Sequence, residues 1–313
     1  MVWSWGLRVA VSLVLGLCAL SAANARETQV IRDVVYADGS GNAHKLDFYP
    51  AMSGASRVPV VIYLHGGGWR TGDKSKVPAS IMDLTREGIA VVAVNYRLSW
   101  QAKYPAQLFD AKAAVRYLRA HADEYHIDPR RIAAWGVSSG AQLAALLGTT
   151  ADEPLLEGNV GADRGQSSAV AAVVNYFGPT SLPDKPIQCG EIGCLFPQTG
   201  MDATVSQLLG CDIATCTDRG RAASPIAHVS SGDAPFLNVH GDKDNIVPVQ
   251  QSINFDAALA KVGVPSRLII VPGARHGWSD DTPYDAEARA FLVRRLGVEP
   301  PAVARVAGGD DAL

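Results

Sequence analysis

The sequence contains no dense cluster of lysine and arginine residues. Its 313 residues include 28 Lys and Arg against 31 Asp and Glu, which gives a formal net charge of −3. Because phosphate backbones are held by concentrated positive charge, nucleic acid is not expected as a partner. A Pro/Ser-rich linker is also missing, and this absence favours one large domain over two.

Long apolar runs are missing as well. A membrane-spanning helix needs about 20 consecutive apolar residues, and the longest candidate run falls short of that length. The stretch "VAVSLVLGLCAL" follows Arg8 and is shorter, and small residues ending at Ala25 come after it. This layout is typical of a secretory signal peptide, so residues 1–25 are predicted to be removed. We expect the mature protein to be periplasmic or secreted, with no stable membrane anchor. A lipid anchor on Cys18 is the alternative, although Leu17 is not the small residue that lipoprotein signals prefer.

Cysteine is rare, with five residues in the chain. Removal of the signal peptide would leave four, all in one short region: Cys189, Cys194, Cys211 and Cys216. In an exported chain this pattern predicts two disulfides, and closeness in sequence favours the pairs Cys189–Cys194 and Cys211–Cys216, with other pairings open. A four-thiolate zinc site is the alternative, which the spacing of the cysteines disfavours.

The chain does have many short, almost continuous apolar runs that alternate with helical patterns. Such runs indicate strands buried on both faces, and intervening helices indicate parallel connections: "VVIYLHG", "IAVVAVNYR", "IAAWGVS", "VAAVVNYFG", "FLNVHGD" and "RLIIVPG". One helix is expected in "YPAQLFDAKAAVRYLRAHADEY", with an apolar face formed by Leu108, Ala111, Val115 and Leu118. The segments "TQVIRDVVYADG" and "HKLDFYP" alternate, which predicts antiparallel edge strands. The fold class is therefore α/β, with helices on both faces of a mostly parallel sheet.

A single catalytic domain is predicted over residues 26–298, followed by a disordered Pro/Gly/Ala-rich tail over 299–313. Residues 180–222 show no clear periodicity and contain all four remaining cysteines. Long aperiodic segments in a compact domain are usually functional, so we expect a lid or pocket wall held by disulfides. A surface loop without function is the alternative.

The segment "WGVSSG" contains the pattern G-x-S-x-G between a predicted strand and a predicted helix. The flanking glycines allow a tight turn that exposes Ser138 as a nucleophile. An ordinary turn in which the serine caps the helix is the alternative.

Three consecutive glycines follow another predicted strand in "HGGGW". Attack of a serine on an acyl group creates an oxyanion, which backbone N–H groups can stabilise. Gly67 and Gly68 are predicted to supply two such N–H groups, and Ser139 a third. Glycine is needed at 67 and 68 because a Cβ atom would keep the loop backbone away from the oxyanion. A flexible connection is the alternative.

A nucleophilic serine needs a base and an acid that orients the base. His276 follows the last predicted strand, and Asp242 and Asp244 follow the strand before it, so the chain order Ser, Asp, His matches this kind of fold. The histidines at 121, 126, 228 and 240 are expected to be structural. Both aspartates remain candidates on position, although Asp244 has more slack to reach His276.

Together these segments and "NYRLS" resemble α/β-hydrolase esterases of the hormone-sensitive-lipase and bacterial feruloyl-esterase-like branch, over about residues 29–296. The resemblance implies Ser138 as nucleophile, His276 as base and Asp244 as acid, because Asp244 matches the family pattern H-G-x-x-D-x-x-V-P. Ser139 and Ala141 depart from the common G-x-S-A-G-G, which leaves a backbone donor in place but makes the substrate assignment less specific.

The expected activity is hydrolysis of soluble carboxylic esters of modest acyl length, without metal or cofactor. The resemblance suggests acetyl or hydroxycinnamoyl esters of carbohydrates as small-molecule substrates. A peptidase, lactonase or formamidase of the same fold is the alternative, and a non-catalytic binding protein is a further one.

Overall fold

The computed structural model describes residues 29–151, 153–182 and 199–298, with only the backbone described for 199–202. Eight strands form one sheet: β1 (Ile31–Val35), β2 (Lys45–Tyr49), β3 (Val58–Leu64), β4 (Ala90–Val94), β5 (Ile127–Val137), β6 (Val173–Tyr176), β7 (Phe236–Gly241) and β8 (Ser266–Val271). Their order is β1-β2-β4-β3-β5-β6-β7-β8. The pairs β1–β2 and β2–β4 are antiparallel and the other pairs are parallel. The predicted edge strands and parallel sheet are thus confirmed.

Seven α-helices are described: α1 (Ala79–Met82), α2 (Ala106–Ala120), α3 (Ser139–Thr149), α4 (Thr199–Leu209), α5 (Thr217–Ala222), α6 (Gln250–Lys261) and α7 (Pro283–Arg295). The apolar face predicted for α2 is fully buried. Within the described ranges, no helix is long and apolar enough to cross a membrane.

The helices cover both faces of the sheet, which explains why the strands are apolar on nearly every residue. All seven residues of β3 are buried. Val60, Ile62 and Leu64 lie in one hydrophobic cluster with residues of α2, α3 and α6. Val61 and Tyr63 lie in a second cluster with residues of α1 and α7.

The segment predicted to be aperiodic contains two helices in its described part, α4 and α5. A disulfide joins Cys211 to Cys216, so it links the end of α4 to the start of α5. This pairing confirms one of the two predicted disulfides, and it removes two of the four thiolates that a zinc site would need.

Several predictions concern residues outside the described ranges. They are the signal peptide over 1–25, the pairing of Cys189 with Cys194, and the tail over 299–313.

Candidate active site

The carboxyl ends of three parallel strands bring the three predicted catalytic side chains together. Ser138 follows β5, Asp244 follows β7 and His276 follows β8. The Oγ atom of Ser138 lies 2.8 Å from Nε2 of His276. On the other side of the ring, Nδ1 of His276 donates to Oδ2 of Asp244 at 2.7 Å. The three side chains thus form one continuous hydrogen-bonded chain.

The turn at Ser138 holds an unfavourable backbone conformation. Its φ is 54° and its ψ is −120°, a region that residues with a Cβ atom rarely adopt. The backbone N–H of Ser138 donates to the carbonyl oxygen of Tyr176 at 2.9 Å, which ties the turn to β6. A Cβ atom at Gly140 would fall within 3.0 Å of the carbonyl oxygens of Leu64 and His65. Glycine there lets the start of α3 pack directly on the end of β3.

This close packing also brings the loop over residues 66–69, called the glycine loop below, beside Ser138. A Cβ atom at Gly66 would lie 3.4 Å from the Cβ of Ser138. Gly67 and Gly68 have φ values of 120° and 61°, which favour glycine. Among the described residues, the backbone N–H groups of Gly67, Gly68 and Ser139 have no hydrogen-bond acceptor. These three groups are therefore available to an oxyanion on a group bound to Ser138.

Trp69 anchors the glycine loop to the body of the protein. Its indole is buried, and Nε1 donates to Oε1 of Gln142 in α3 at 3.0 Å. Gln142 in turn donates from Nε2 to the carbonyl oxygen of Ala223 at 2.6 Å. The carbonyl oxygen of Trp69 accepts the backbone N–H of Ser99 at 2.7 Å. The loop is thus held to α3, to the segment after α5 and to the loop after β4.

A second anchor lies a few residues further on, at Asp73. Its carboxylate accepts the backbone N–H of Ser75 at 2.9 Å and side-chain amides of Asn95 at 3.1 Å and Asn42 at 3.2 Å. Partial burial acts to raise the pKa of Asp73, but these hydrogen bonds outweigh it and lower the pKa from 3.8 to about 2. Asn95 directly follows β4, so this hydrogen-bond network ties the segment after the glycine loop to the end of the sheet.

Asp244 is almost completely buried, with 1% exposure. Its Oδ1 atom accepts the backbone N–H groups of Ile246 at 2.8 Å and Val247 at 2.9 Å. Burial acts to raise the pKa of this carboxyl, but hydrogen bonds from His240 and His276 outweigh it and hold the pKa well below its usual range. Asp244 is therefore ionised at neutral pH and can orient and stabilise a charged imidazole.

Asp242, the other candidate acid, points elsewhere. Its Oδ1 accepts the backbone N–H of Gly273 at 2.7 Å, which links the loops after β7 and β8. The hydrogen bond to His276 is made by Asp244. Of the two candidate aspartates, the geometry thus places Asp244 against His276.

Phe177 packs against the histidine and was missed from the sequence. Its ring centroid lies 4.7 Å from that of His276 at an interplanar angle of 62°, and 5.2 Å from that of Trp278. Its φ of 42° is unusual for a large side chain. This contact limits rotation of the imidazole. The sequence signal was weak, because Phe177 only follows β6 as one of many apolar residues.

His240 was also missed as part of the site, since its sequence position only marked the end of a strand. The structure places its Nε2 atom 3.2 Å from Oδ2 of Asp244. The available sequence signal was the short separation of four residues between His240 and Asp244. Two of the other histidines that were expected to be structural pair elsewhere: His228 with Glu153 at 2.6 Å and His121 with Glu124 at 3.0 Å.

Among the described residues, no group of three or more His, Cys, Asp or Glu side chains is arranged to hold a metal ion. A mostly parallel sheet with a serine on a tight turn after one strand, and with an acid and a histidine after later strands, defines the α/β-hydrolase fold. The chain matches the family model BD-FAE over residues 46–259 and belongs to that family. This membership confirms the resemblance to hormone-sensitive-lipase-like esterases.

Individual relatives are consistent with this family. The esterase LipQ of Mycobacterium tuberculosis is 32% identical over 251 residues, which are 79% of this chain and 56% of LipQ. The chain thus spans less than two thirds of that relative. A solved truncated form of a carbohydrate esterase from gut microbiota is 32% identical with a TM-score of 0.78, covering 88% of this chain and 99% of that chain. Thermogutta terrifontis esterase 2 phosphonylated by sarin is 26% identical with a TM-score of 0.72, covering 88% of this chain and 98% of that chain.

Proposed function

We propose that the protein is a serine carboxylester hydrolase that acts through an acyl-enzyme on Ser138. The observation that carries this proposal is the continuous hydrogen-bonded chain from Ser138 through His276 to Asp244. The sarin-modified esterase among the structural relatives supports a nucleophile that reacts with organophosphonates. LipQ and the carbohydrate esterase support esters as the substrate class.

In the first half of the reaction, Oγ of Ser138 attacks the ester carbonyl carbon and its proton moves to Nε2 of His276. Asp244 stabilises the resulting imidazolium through Nδ1. The carbonyl oxygen becomes an oxyanion, which accepts hydrogen bonds from the N–H groups of Gly67, Gly68 and Ser139. The C–O bond to the alcohol then breaks, and the alcohol leaves with the proton from His276.

In the second half, water attacks the acyl-enzyme while His276 takes one of its protons. The same three N–H groups stabilise the second oxyanion. Ser138 then leaves with the proton from His276, and the carboxylic acid is released. This chain's own residues supply each proton transfer in the cycle.

The substrates that we propose are soluble esters of modest acyl length, such as acetyl or hydroxycinnamoyl esters of carbohydrates. The segment over 180–222 approaches the site through α4, where Cγ2 of Thr204 lies 3.1 Å from the position of a Cβ atom at Gly68. A wall so close to the glycine loop restricts the space beside the acyl carbonyl of a bound substrate. This contact supports the assignment of the segment as a pocket wall.

We also propose that the mature protein is exported to the periplasm or the outside of the cell. The Cys211–Cys216 disulfide supports this location, because disulfides persist in oxidising compartments. A small-molecule ester remains the proposed partner, with no nucleic acid and no stable membrane anchor.

A substrate panel tests the proposed activity. Purified protein and Ser138→Ala would be assayed with p-nitrophenyl acetate and butyrate, methyl ferulate, acetylated xylo-oligosaccharides, a lactone, a formamide and an acyl anilide. We expect esters to be hydrolysed fastest, and Ser138→Ala to lose at least about 10³-fold in kcat. A preference for the lactone, formamide or anilide, or undiminished ester hydrolysis by Ser138→Ala, would contradict the proposal.

Labelling gives a second, independent readout. A fluorophosphonate probe should modify the protein once, at Ser138, and peptide mass spectrometry locates the adduct. Equal labelling of Ser138→Ala would show that another residue is the nucleophile.

A further inference from the structure

A second histidine, His240, contacts the carboxylate that orients His276. It lies at the end of β7 and has 0% exposure. Its Nε2 atom lies 2.8 Å from the carbonyl oxygen of Val247 and 3.2 Å from Oδ2 of Asp244. A carbonyl and an ionised carboxylate can only accept hydrogen bonds, so Nε2 of His240 has to carry a proton.

The other ring nitrogen faces a group that can complete this arrangement. Nδ1 of His240 lies 2.7 Å from Oγ of Ser252, which is fully buried in the first turn of α6. A serine hydroxyl can donate or accept, so it can give its proton to Nδ1 while Nε2 donates. The hydrogen bonds therefore favour the tautomer with the proton on Nε2.

The backbone of Val247 contacts both Asp244 and His240. Its backbone N–H donates to Oδ1 of Asp244 at 2.9 Å, and its carbonyl oxygen accepts from His240. The N–H groups of Ile246 and Val247 fix only Oδ1. The contact from His240 lies on Oδ2, the same oxygen that accepts from His276.

We propose that His240, held by Ser252, is a positioning residue that keeps Oδ2 of Asp244 directed at Nδ1 of His276. Burying a polar ring at this point costs free energy unless each nitrogen is paired, and here each one is. Without His240, the carboxylate keeps its two backbone bonds to Oδ1 but is free to turn Oδ2 away from His276. The inference rests on the proposed serine hydrolase function.

Two substitutions at His240 separate the hydrogen bond from the volume of the ring. His240→Gln keeps an N–H donor near the position of Nε2, whereas His240→Leu removes it. We expect His240→Leu to lower kcat by about 10- to 100-fold with KM changed less than about twofold, and His240→Gln to recover most of the loss. Circular dichroism at the assay temperature establishes that each variant is folded.

His44 supplies the matched control. It is also buried, with 3% exposure, and its Nε2 lies 3.0 Å from Oδ1 of Asp110. His44→Leu and His44→Gln should lower the melting temperature but change kcat less than about twofold, since neither Asp110 nor His44 contacts the three catalytic side chains. An equal kcat loss in His44→Leu and His240→Leu, or a His240→Gln variant as slow as His240→Leu, would overturn the inference.

Nuclear magnetic resonance tests the arrangement without any substrate. In ¹⁵N-histidine-labelled protein, the signals missing from His240→Gln identify His240, and we expect the tautomer with the proton on Nε2. The downfield proton of the His276 bond to Asp244 should persist in His240→Gln and be lost or shifted in His240→Leu. A proton on Nδ1 of neutral His240, or an unchanged His276 proton in His240→Leu, would reject the inference. Failure of the wild-type protein to cleave any ester would instead reject the proposed function.

Discussion

Gly241 and Ala274 are packed so closely that a Cβ atom at position 241 would fall within 3.0 Å of the carbonyl oxygen of Ala274. That same oxygen accepts the backbone N–H of Lys243 at 2.9 Å. Gly241 leads into the loop that carries Asp244, and Ala274 lies two residues before His276. This contact between the two loops therefore sets the distance between Asp244 and His276.

Gly241→Ala should push the two loops apart. We expect kcat to fall by at least about tenfold with a smaller change in KM, because small displacements of catalytic groups are costly. Steady-state kinetics on p-nitrophenyl acetate measures both constants. Gly54→Ala is the matched control, since a Cβ atom there would have nothing within 4 Å. Wild-type kcat in Gly241→Ala would show that the loops tolerate separation.

Exchange of each aspartate for asparagine tests which one orients His276. Asp244→Asn should lower kcat by at least about 10²-fold, because an amide no longer stabilises the imidazolium or selects the tautomer. Asp242→Asn should change kcat less than about tenfold, since Asp242 bonds to the backbone of Gly273. A larger loss in Asp242→Asn would reverse the assignment.

The stability contributed by Asp73 should depend on pH in one direction. Its pKa is lowered in the folded protein from 3.8 to about 2. A depressed carboxyl pKa stabilises the fold above the unfolded value, and this stabilisation is lost as the pH falls from 3.8 through about 2. Urea unfolding should thus show wild type more stable than Asp73→Asn at pH 7, with a difference that shrinks in that acidic range.

Asp123→Asn serves as the comparison for this pH series. The Asp123 side chain is 86% exposed and its described partner is Arg57. Exposed ion pairs contribute little to stability, so Asp123→Asn should differ little from wild type throughout the series. An Asp73→Asn difference that stays constant down to about pH 2 would contradict the linkage argument.

Thiol titration tests the second disulfide. Denatured but unreduced mature protein should contain close to zero reactive thiols, since we predict that Cys189 pairs with Cys194 in addition to the Cys211–Cys216 bond. Cys211→Ser should release one thiol, and the double variant that also carries Cys216→Ser should again read zero. Two or more thiols in the wild-type protein would mean that the Cys189–Cys194 pair is absent.

Much of the fold could be predicted from local patterns. Strands such as β3 and β4 are apolar on both faces because helices cover both sides of the sheet, and consecutive apolar residues therefore predict such strands. The helices α4 and α5 were not predicted, although Val205, Leu208 and Leu209 are buried in α4 at helical spacing. Tertiary packing also holds α4 in place, since the backbone N–H of Tyr104, in the loop after β4, donates to the carbonyl oxygen of Leu208 at 2.9 Å.

Local motifs and chain order are enough to name the side chains that can form the site, because the chemistry of Ser138, Asp244 and His276 and their positions after parallel strands can be predicted from nearby residues. Position along the chain left both aspartates open, and in the folded protein Asp244 contacts His276 whereas Asp242 bonds to Gly273. The neighbours that hold these side chains are likewise visible only in the folded protein.

Phe177 follows β6 and contacts His276 after β8, so no local pattern records that contact. His240 lies only four residues before Asp244, but the chain order does not show that the two side chains meet. Hydrogen bonds and ring contacts act over a few ångströms in space, whereas sequence patterns report only neighbours along the chain.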